Sequence, residues 1–208
     1  MKPTATLACL SASLALAQSN FPDQSASFGL VLRSSDTAYN NTYLGSCHVG
    51  AGLESLCTAG ADLDPHDVYR LNTSSTDPST YDASQGMPGL LTWDLVAGGS
   101  NINETMVISQ GLSLLVYESS NTALPIFGIG EQQFLVAFDE QGFMNVQSYY
   151  DDTVTPPTDY ASTKAYYRWY ICQNNFDGYE YFNLNWVLGD AKPQNPTCEK
   201  VQVLRTFV

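Results

Sequence analysis

His48 and His66 are the only histidines in the 208-residue chain. A serine or cysteine nucleophile ordinarily hands its proton to a histidine. Neither imidazole sits in such a setting: no Gly-x-Ser-x-Gly turn occurs, and Cys47, beside His48, reads as half of a disulfide. The densest run of potential ligands is Asp62-Leu63-Asp64-Pro65-His66-Asp67. Carboxylate oxygens suit calcium, and His66 with its aspartates suits a transition ion. The same residues also make an ordinary solvated acidic turn, without the glycine and terminal glutamate of a helix–loop–helix calcium loop. Asp62, Asp64, His66 and Asp67 are the metal candidates, and no cofactor is expected. Glycoside hydrolysis would need two carboxyl groups about 5–10 Å apart across a sugar ring. The 21 acidic residues contain no pair that spacing singles out. Asp139-Glu140 and Asp151-Asp152 look like turn residues.

A second kind of chemistry is aromatic. Tyrosine, tryptophan and phenylalanine crowd the segment from Tyr166 to Trp186. Side chains alternate between the two faces of a strand. A strand from Tyr179 to Leu188 therefore sets Phe182, Leu184, Trp186 and Leu188 on one face and Tyr179, Tyr181, Asn183 and Asn185 on the other. If the first face is core, the second is a flat platform, where tyrosine rings stack on sugar and asparagine amides bond hydroxyls. Tyr179, Tyr181, Asn183 and Asn185 are the glycan candidates. The competing reading makes the tyrosines cross-strand pairs that stabilise the sheet.

The elements that must position these residues are strands. No helical periodicity of useful length follows the N-terminal segment, and short apolar runs are broken by Gly, Asn, Asp and Pro. Strands are expected at Phe28–Arg33, Thr42–Gly45, Val68–Leu71, Leu90–Val96, Thr105–Ile108 and Leu112–Tyr117. Residues 131–138 and 143–149 flank the turn Asp139-Glu140-Gln141-Gly142 as a hairpin. A second hairpin runs from Ala165 through Asp177-Gly178, a pair suited to a tight turn, to Leu188. Val201–Val208 closes the sheet. Residues 72–89 and 153–158 read as surface loops. The expected fold is all-β: a single-domain antiparallel β-sandwich or β-barrel with two disulfides.

The first 17 residues carry Lys2, an apolar stretch over 7–16 and Ala15-Leu16-Ala17, the three parts of a cleavable secretory signal. The stretch is too short to span a membrane. The expected division is a signal over 1–17 and one secreted β domain over 18–208, free of the membrane. Four cysteines remain after cleavage, and three pairings are possible on paper. Cys47–Cys57 and Cys172–Cys198 each bracket a short, turn-rich segment and close cheaply; no Cys-x-x-Cys spacing favours zinc. Asn40, Asn72 and Asn103 open Asn-x-Ser/Thr acceptors in polar stretches that read as surface loops. Loss of Lys2 leaves seven basic against 21 acidic residues, a formal net charge of −14. Nucleic acid and anionic membrane surfaces call for basic patches and are not expected partners.

The run Tyr166-Tyr167-Arg168-Trp169-Tyr170-Ile171-Cys172, with Asn185-Trp186-Val187-Leu188-Gly189, Asn195-Pro196-Thr197-Cys198 and Val201–Val208, resembles a group of small secreted fungal proteins. So do Phe28-Gly29-Leu30-Val31-Leu32-Arg33-Ser34 and Tyr43-Leu44-Gly45-Ser46-Cys47-His48. The group shares a β-rich domain of unknown function. The resemblance implies a fungal extracellular protein deployed at the wall or towards a host, and it supplies no catalytic residues. The expectation is a non-enzymatic secreted protein that binds a cell-wall or host glycan or protein. The alternative is a glycan-active hydrolase using carboxylates that remain unassigned.

Overall fold

A computed structural model describes residues 20–97, 106–128 and 133–208. The strands are β1 (Asp23–Gln24), β2 (Phe28–Arg33), β3 (Tyr43–Gly50), β4 (Leu53–Gly60), β5 (Tyr69–Thr73), β6 (Gly89–Ala97), β7 (Met106–Val116) and β8 (Thr122–Gly128). They continue with β9 (Leu135–Phe138), β10 (Met144–Asp151), β11 (Thr158–Tyr166), β12 (Trp169–Phe176), β13 (Tyr179–Val187), β14 (Glu199–Lys200) and β15 (Gln202–Phe207). One 3-10 turn, Pro78–Thr80, interrupts the segment between β5 and β6. The expected N-terminal signal lies outside the described residues.

Eight strands close an antiparallel ring in the order β5-β2-β3-β4-β13-β8-β7-β6, with β6 returning to β5. The barrel form of the expected fold is therefore the one adopted. Closure has two thin seams: β2 meets β5 only at Phe28↔Tyr69, and β4 meets β13 only at Asn183↔Cys57, with two further pairs joining β4 directly to β8. Eight strands leave an interior that side chains can fill, and here they do. Tyr69 on β5 stacks on Phe127 of β8 at 5.9 Å, and Trp93 on β6 lies 6.2 Å from the same ring. These strands are not neighbours in the ring, so the rings meet across the barrel. Tyr69 is fully buried, donates to Leu44 O at 3.2 Å, and burial holds its pKa well above the ordinary phenol value.

The remaining strands add walls to this ring. β15 pairs along the whole of β2, from Gln202↔Arg33 to Phe207↔Phe28. β9 continues from β6 and carries β10 and β11, while β12 flanks β13. Trp169 on β12 is fully buried, packs edge-on against Trp186 at 4.7 Å and donates its indole N–H to Met144 O at 2.9 Å. That contact ties the β12–β13 hairpin to β10. A smaller apolar cluster of Val49, Leu124 and Ile126 takes Tyr181 and Phe176 against it. Alternation explains the split: Ala123 and Phe127 of β8 enter the main core, and Leu124 and Ile126 point the other way.

Both disulfides form as the spacing predicts, Cys47–Cys57 and Cys172–Cys198. The first joins adjacent strands β3 and β4. Two such bridges fit an oxidising, extracellular setting. Both expected turns are present as well. Asp177 and Gly178 take φ of 50° and 86°, the left-handed pair that a two-residue hairpin requires. Asp139 Oδ1 accepts from Gln141 N and Phe143 N, which caps the turn before β10.

Candidate functional site

The C-terminal aromatic face is not an open platform. Asn183 and Asn185 share a face with Tyr181, as alternation requires, but both amides are buried. Asn183 Nδ2 donates to Ser55 Oγ at 2.9 Å, and Asn185 Nδ2 donates to Asn174 Oδ1 at 2.6 Å and Asn183 O at 3.0 Å. Cys172 pairs with Asn183 across the hairpin. The bridge to Cys198 therefore springs from this same face and draws the following loop onto it. That loop is tied to β12 by Asn195 Nδ2 to Gln173 O and by Gln173 N to Thr197 Oγ1. Tyr181 is half-buried in the smaller cluster, and Tyr179 packs edge-on against His48 at 5.3 Å. Phe182, expected in the core, is 44% exposed near the hairpin tip, while Leu184 and Trp186 are buried as expected. Phe182 lies 6.4 Å from Tyr39, outside the main core, while Tyr181 and Phe176 of the same hairpin pack on the smaller cluster.

The acidic run is a structural corner. Asp67 Oδ1 accepts from Ser46 N at 2.8 Å and Ser46 Oγ at 3.0 Å, bracing β3. Asp64 Oδ1 accepts from His66 N, and His66 O accepts from the Trp93 indole. Asp62 stands exposed. Among the described residues no three His, Cys, Asp or Glu side chains converge as a metal site. Asp62, Asp64, His66 and Asp67 are thus not brought together. His48 instead meets Glu54 across β3 and β4 at 3.1 Å.

Of the three glycan acceptors, Asn40 is exposed in the turn between β2 and β3. Asn72 is not in a loop: it sits within β5, 6% exposed, with its Oδ1 accepting from Gln24 Nε2 at 3.1 Å. The polar run 72–89 starts two residues too early, because Asn72 and Thr73 still pair with Leu90 and Gly89. Asn103 lies outside the described residues.

One accessible groove lies beside the 15-residue segment 74–88 that joins β5 to β6, and a larger depression of about 540 Å³ lies elsewhere, lined by Arg33, Tyr167 and Lys200 among others. Connections of this length are longer than most, and long ones tend to carry function; this one contains only the Pro78–Thr80 turn. The segment is pinned from below. Asn145 Nδ2 donates to Gln85 O at 2.9 Å, and Gln147 Nε2 donates to Gln85 O at 3.0 Å and Gly86 O at 2.8 Å. Gln85 Nε2 in turn donates to Thr163 O at 2.7 Å. Gly86 has φ of 80°, and a Cβ there would stand 1.9 Å from the Phe138 carbonyl oxygen. Only glycine allows the loop this close to β9.

Two depressions flank the pinned loop. One, of about 400 Å³, is lined by Tyr81, Asp82, Met87, Gln147, Tyr149 and Thr163 among others. Tyr149 is 71% exposed and presents its ring to solvent. Asp82 accepts from the Ser84 hydroxyl at 2.7 Å, Ser84 N at 3.0 Å and Gln85 Nε2 at 2.9 Å. Those bonds hold its carboxyl below the usual carboxylate range. The other depression, of about 270 Å³, is lined by Asp23, Ser75, Thr76, Phe138 and Arg205, and shares Tyr81 and Met87 with the first. Tyr81, Gln147, Tyr149 and Arg205 escape sequence reasoning. The available signal was one tyrosine and one methionine set in an otherwise small, polar run, and a Tyr149-Tyr150 pair where β10 ends.

Fold and groove together define a class: a disulfide-stapled, closed antiparallel β-barrel with a filled interior and a lateral groove. Within it, residues 25–207 match the family described as Domain of unknown function (DUF7907), and the chain belongs to that family. No curated protein and no solved structure matches it significantly.

Proposed function

We propose that this is a non-enzymatic extracellular protein that binds a glycan of the cell wall or of a host surface in the groove beside the 74–88 loop. The exposed ring of Tyr149 carries the reading: it stands on the rim of a depression whose lining mixes apolar side chains (Met87, Pro88 and Leu135) with polar ones (Asp82, Gln147 and Thr163). A sugar presents apolar C–H faces to such a ring and hydroxyls to such polar groups, and an amphipathic aromatic serves both. The volume suits a few sugar units, whereas a stable protein partner needs roughly 800 Å² on each side. Secretion is supported by the N-terminal signal pattern and both disulfides. A fungal origin at the wall or host surface rests on the resemblance to small secreted fungal proteins.

The hydrolase alternative asks for two carboxyl groups facing one sugar. Among the described residues each depression carries one, Asp23 or Asp82. Asp82 is held ionised by its donors, which suits a turn better than a general acid. The test is a pull-down of the purified full chain on a panel of neutral and acidic wall polysaccharides, with reducing-sugar release measured in parallel. Saturable binding, lost in Tyr149→Ala at unchanged thermal stability and without sugar release, is expected. Undiminished binding by Tyr149→Ala overturns the site, and released reducing ends favour the hydrolase.

A further inference from the structure

The chain has four arginines, and three of them are satisfied. Arg33 donates to Asn41, Arg70 to Asp94 at 2.7 Å, and Arg168 to Asp190. Arg205 differs. Its guanidinium has no hydrogen-bond acceptor and no ion-pair partner among the described residues, in a chain with 21 acidic side chains. It rests instead among three rings, 4.7 Å from Phe138, 4.7 Å from Phe207 and 5.5 Å from Phe28. The rings compensate part of the charge but satisfy none of its five N–H donors. None of its nitrogens is among the buried, unpartnered atoms of the described residues, so the donors remain open to an acceptor arriving from solvent. Arg205 is also the one basic residue lining the smaller depression, which meets the Tyr149 depression at Tyr81 and Met87.

We infer that the glycan is acidic: a polysaccharide containing hexuronic acid units, one of whose carboxylates is received by Arg205. The inference rests on the glycan reading above and adds the class of sugar. A guanidinium takes a carboxylate through two parallel N–H···O bonds, a geometry that lysine cannot supply. Ser75 and Thr76 line the same depression and can meet the hydroxyls of the same unit, and Asp23 can accept from such hydroxyls. The formal net charge of −13 repels a polyanion at long range. Affinity for one must therefore come from a local contact.

The test compares wild-type protein on polygalacturonate, on its fully methyl-esterified form and on dextran sulfate, by titration calorimetry. The free acid should bind about tenfold or more tightly than the ester, as for a charge-assisted pair, and more tightly than the sulfated glucan. Arg205→Gln should erase the preference, with Arg205→Lys restoring only part. Because the wild-type comparison needs no variant, a misfolded Arg205→Gln cannot rescue the idea. Equal binding of acid and ester overturns the carboxylate while leaving the glycan reading intact. A sulfated glucan that binds as tightly as the free acid also overturns it. Failure of every polymer to bind overturns both.

Discussion

Asn183 and Asn185 in the C-terminal hairpin and Asn145 and Gln147 beneath the 74–88 loop are all strand amides, all but Gln147 buried, yet they do opposite work. The hairpin pair bonds sideways within the barrel wall, to Ser55 and Asn174. The other pair reaches out and holds the carbonyls of Gln85 and Gly86. A loop has no ladder to satisfy its backbone, so side-chain amides supply one. In the first region the amides close the surface and Tyr181 packs down, while Tyr179 stays exposed against His48. In the second they hold a loop close against the sheet, and Tyr81 and Tyr149 are left to line the depression beside it. A rich supply of tyrosine and amide therefore does not mark a binding face. What marks it is whether the amides spend their bonds on each other or on a separate loop.

Four substitutions sharpen or break this contrast. Trp186→Ala removes a buried indole from beneath the hairpin and should cost about 3–5 kcal/mol in chemical denaturation. Tyr181→Ala should cost roughly 1.5–3 kcal/mol, because the ring packs on Leu124 and Ile126; a change within experimental error would return the hairpin face to solvent. Gly86→Ala places a methyl against the Phe138 carbonyl and should cost about 1–3 kcal/mol. It should also weaken glycan capture, since the loop must lift. Tyr149→Ala should alter stability by no more than about 0.5 kcal/mol while abolishing capture. A Tyr149→Ala variant as destabilised as Tyr181→Ala would mean that the two regions do not differ.

Much of the wall was legible in the residues. Phe28–Arg33 fits its strand to the residue, Asp177-Gly178 turns the hairpin, and both disulfides pair as loop length suggests. The failures share a cause. β8 reads as a continuous apolar run with Pro125 inside it, and alternation vanishes because the strand is buried throughout. β4 places Glu54 and Ser55 among its buried residues, masking the strand before Cys57. β11 is largely exposed on both faces and offers no contrast to read. β7 reads as two strands but runs unbroken through Gly111. Closure itself left no trace in the sequence, since its seams rest on one to three residue pairs each. The groove was illegible for a related reason. Tyr81 lies in a run without periodicity, and Arg205 lies on a strand whose alternation says only that it faces inward, not that its charge lacks a partner.

The pairing of β15 with β2 also has a consequence for how the molecule is made. Thr206 Oγ1 reaches back to Gly29 O across 177 residues of sequence. At roughly 5–20 residues per second of synthesis, the first barrel strand exists for on the order of ten to thirty seconds before its partner emerges. Throughout that interval Phe28–Arg33 presents an unpaired edge of apolar residues, a template for pairing with the wrong chain. Contacts this distant also slow the search for the native topology. Protection of the oldest strand while the newest is still being polymerised is therefore a condition of folding that the stability of the finished barrel does not supply.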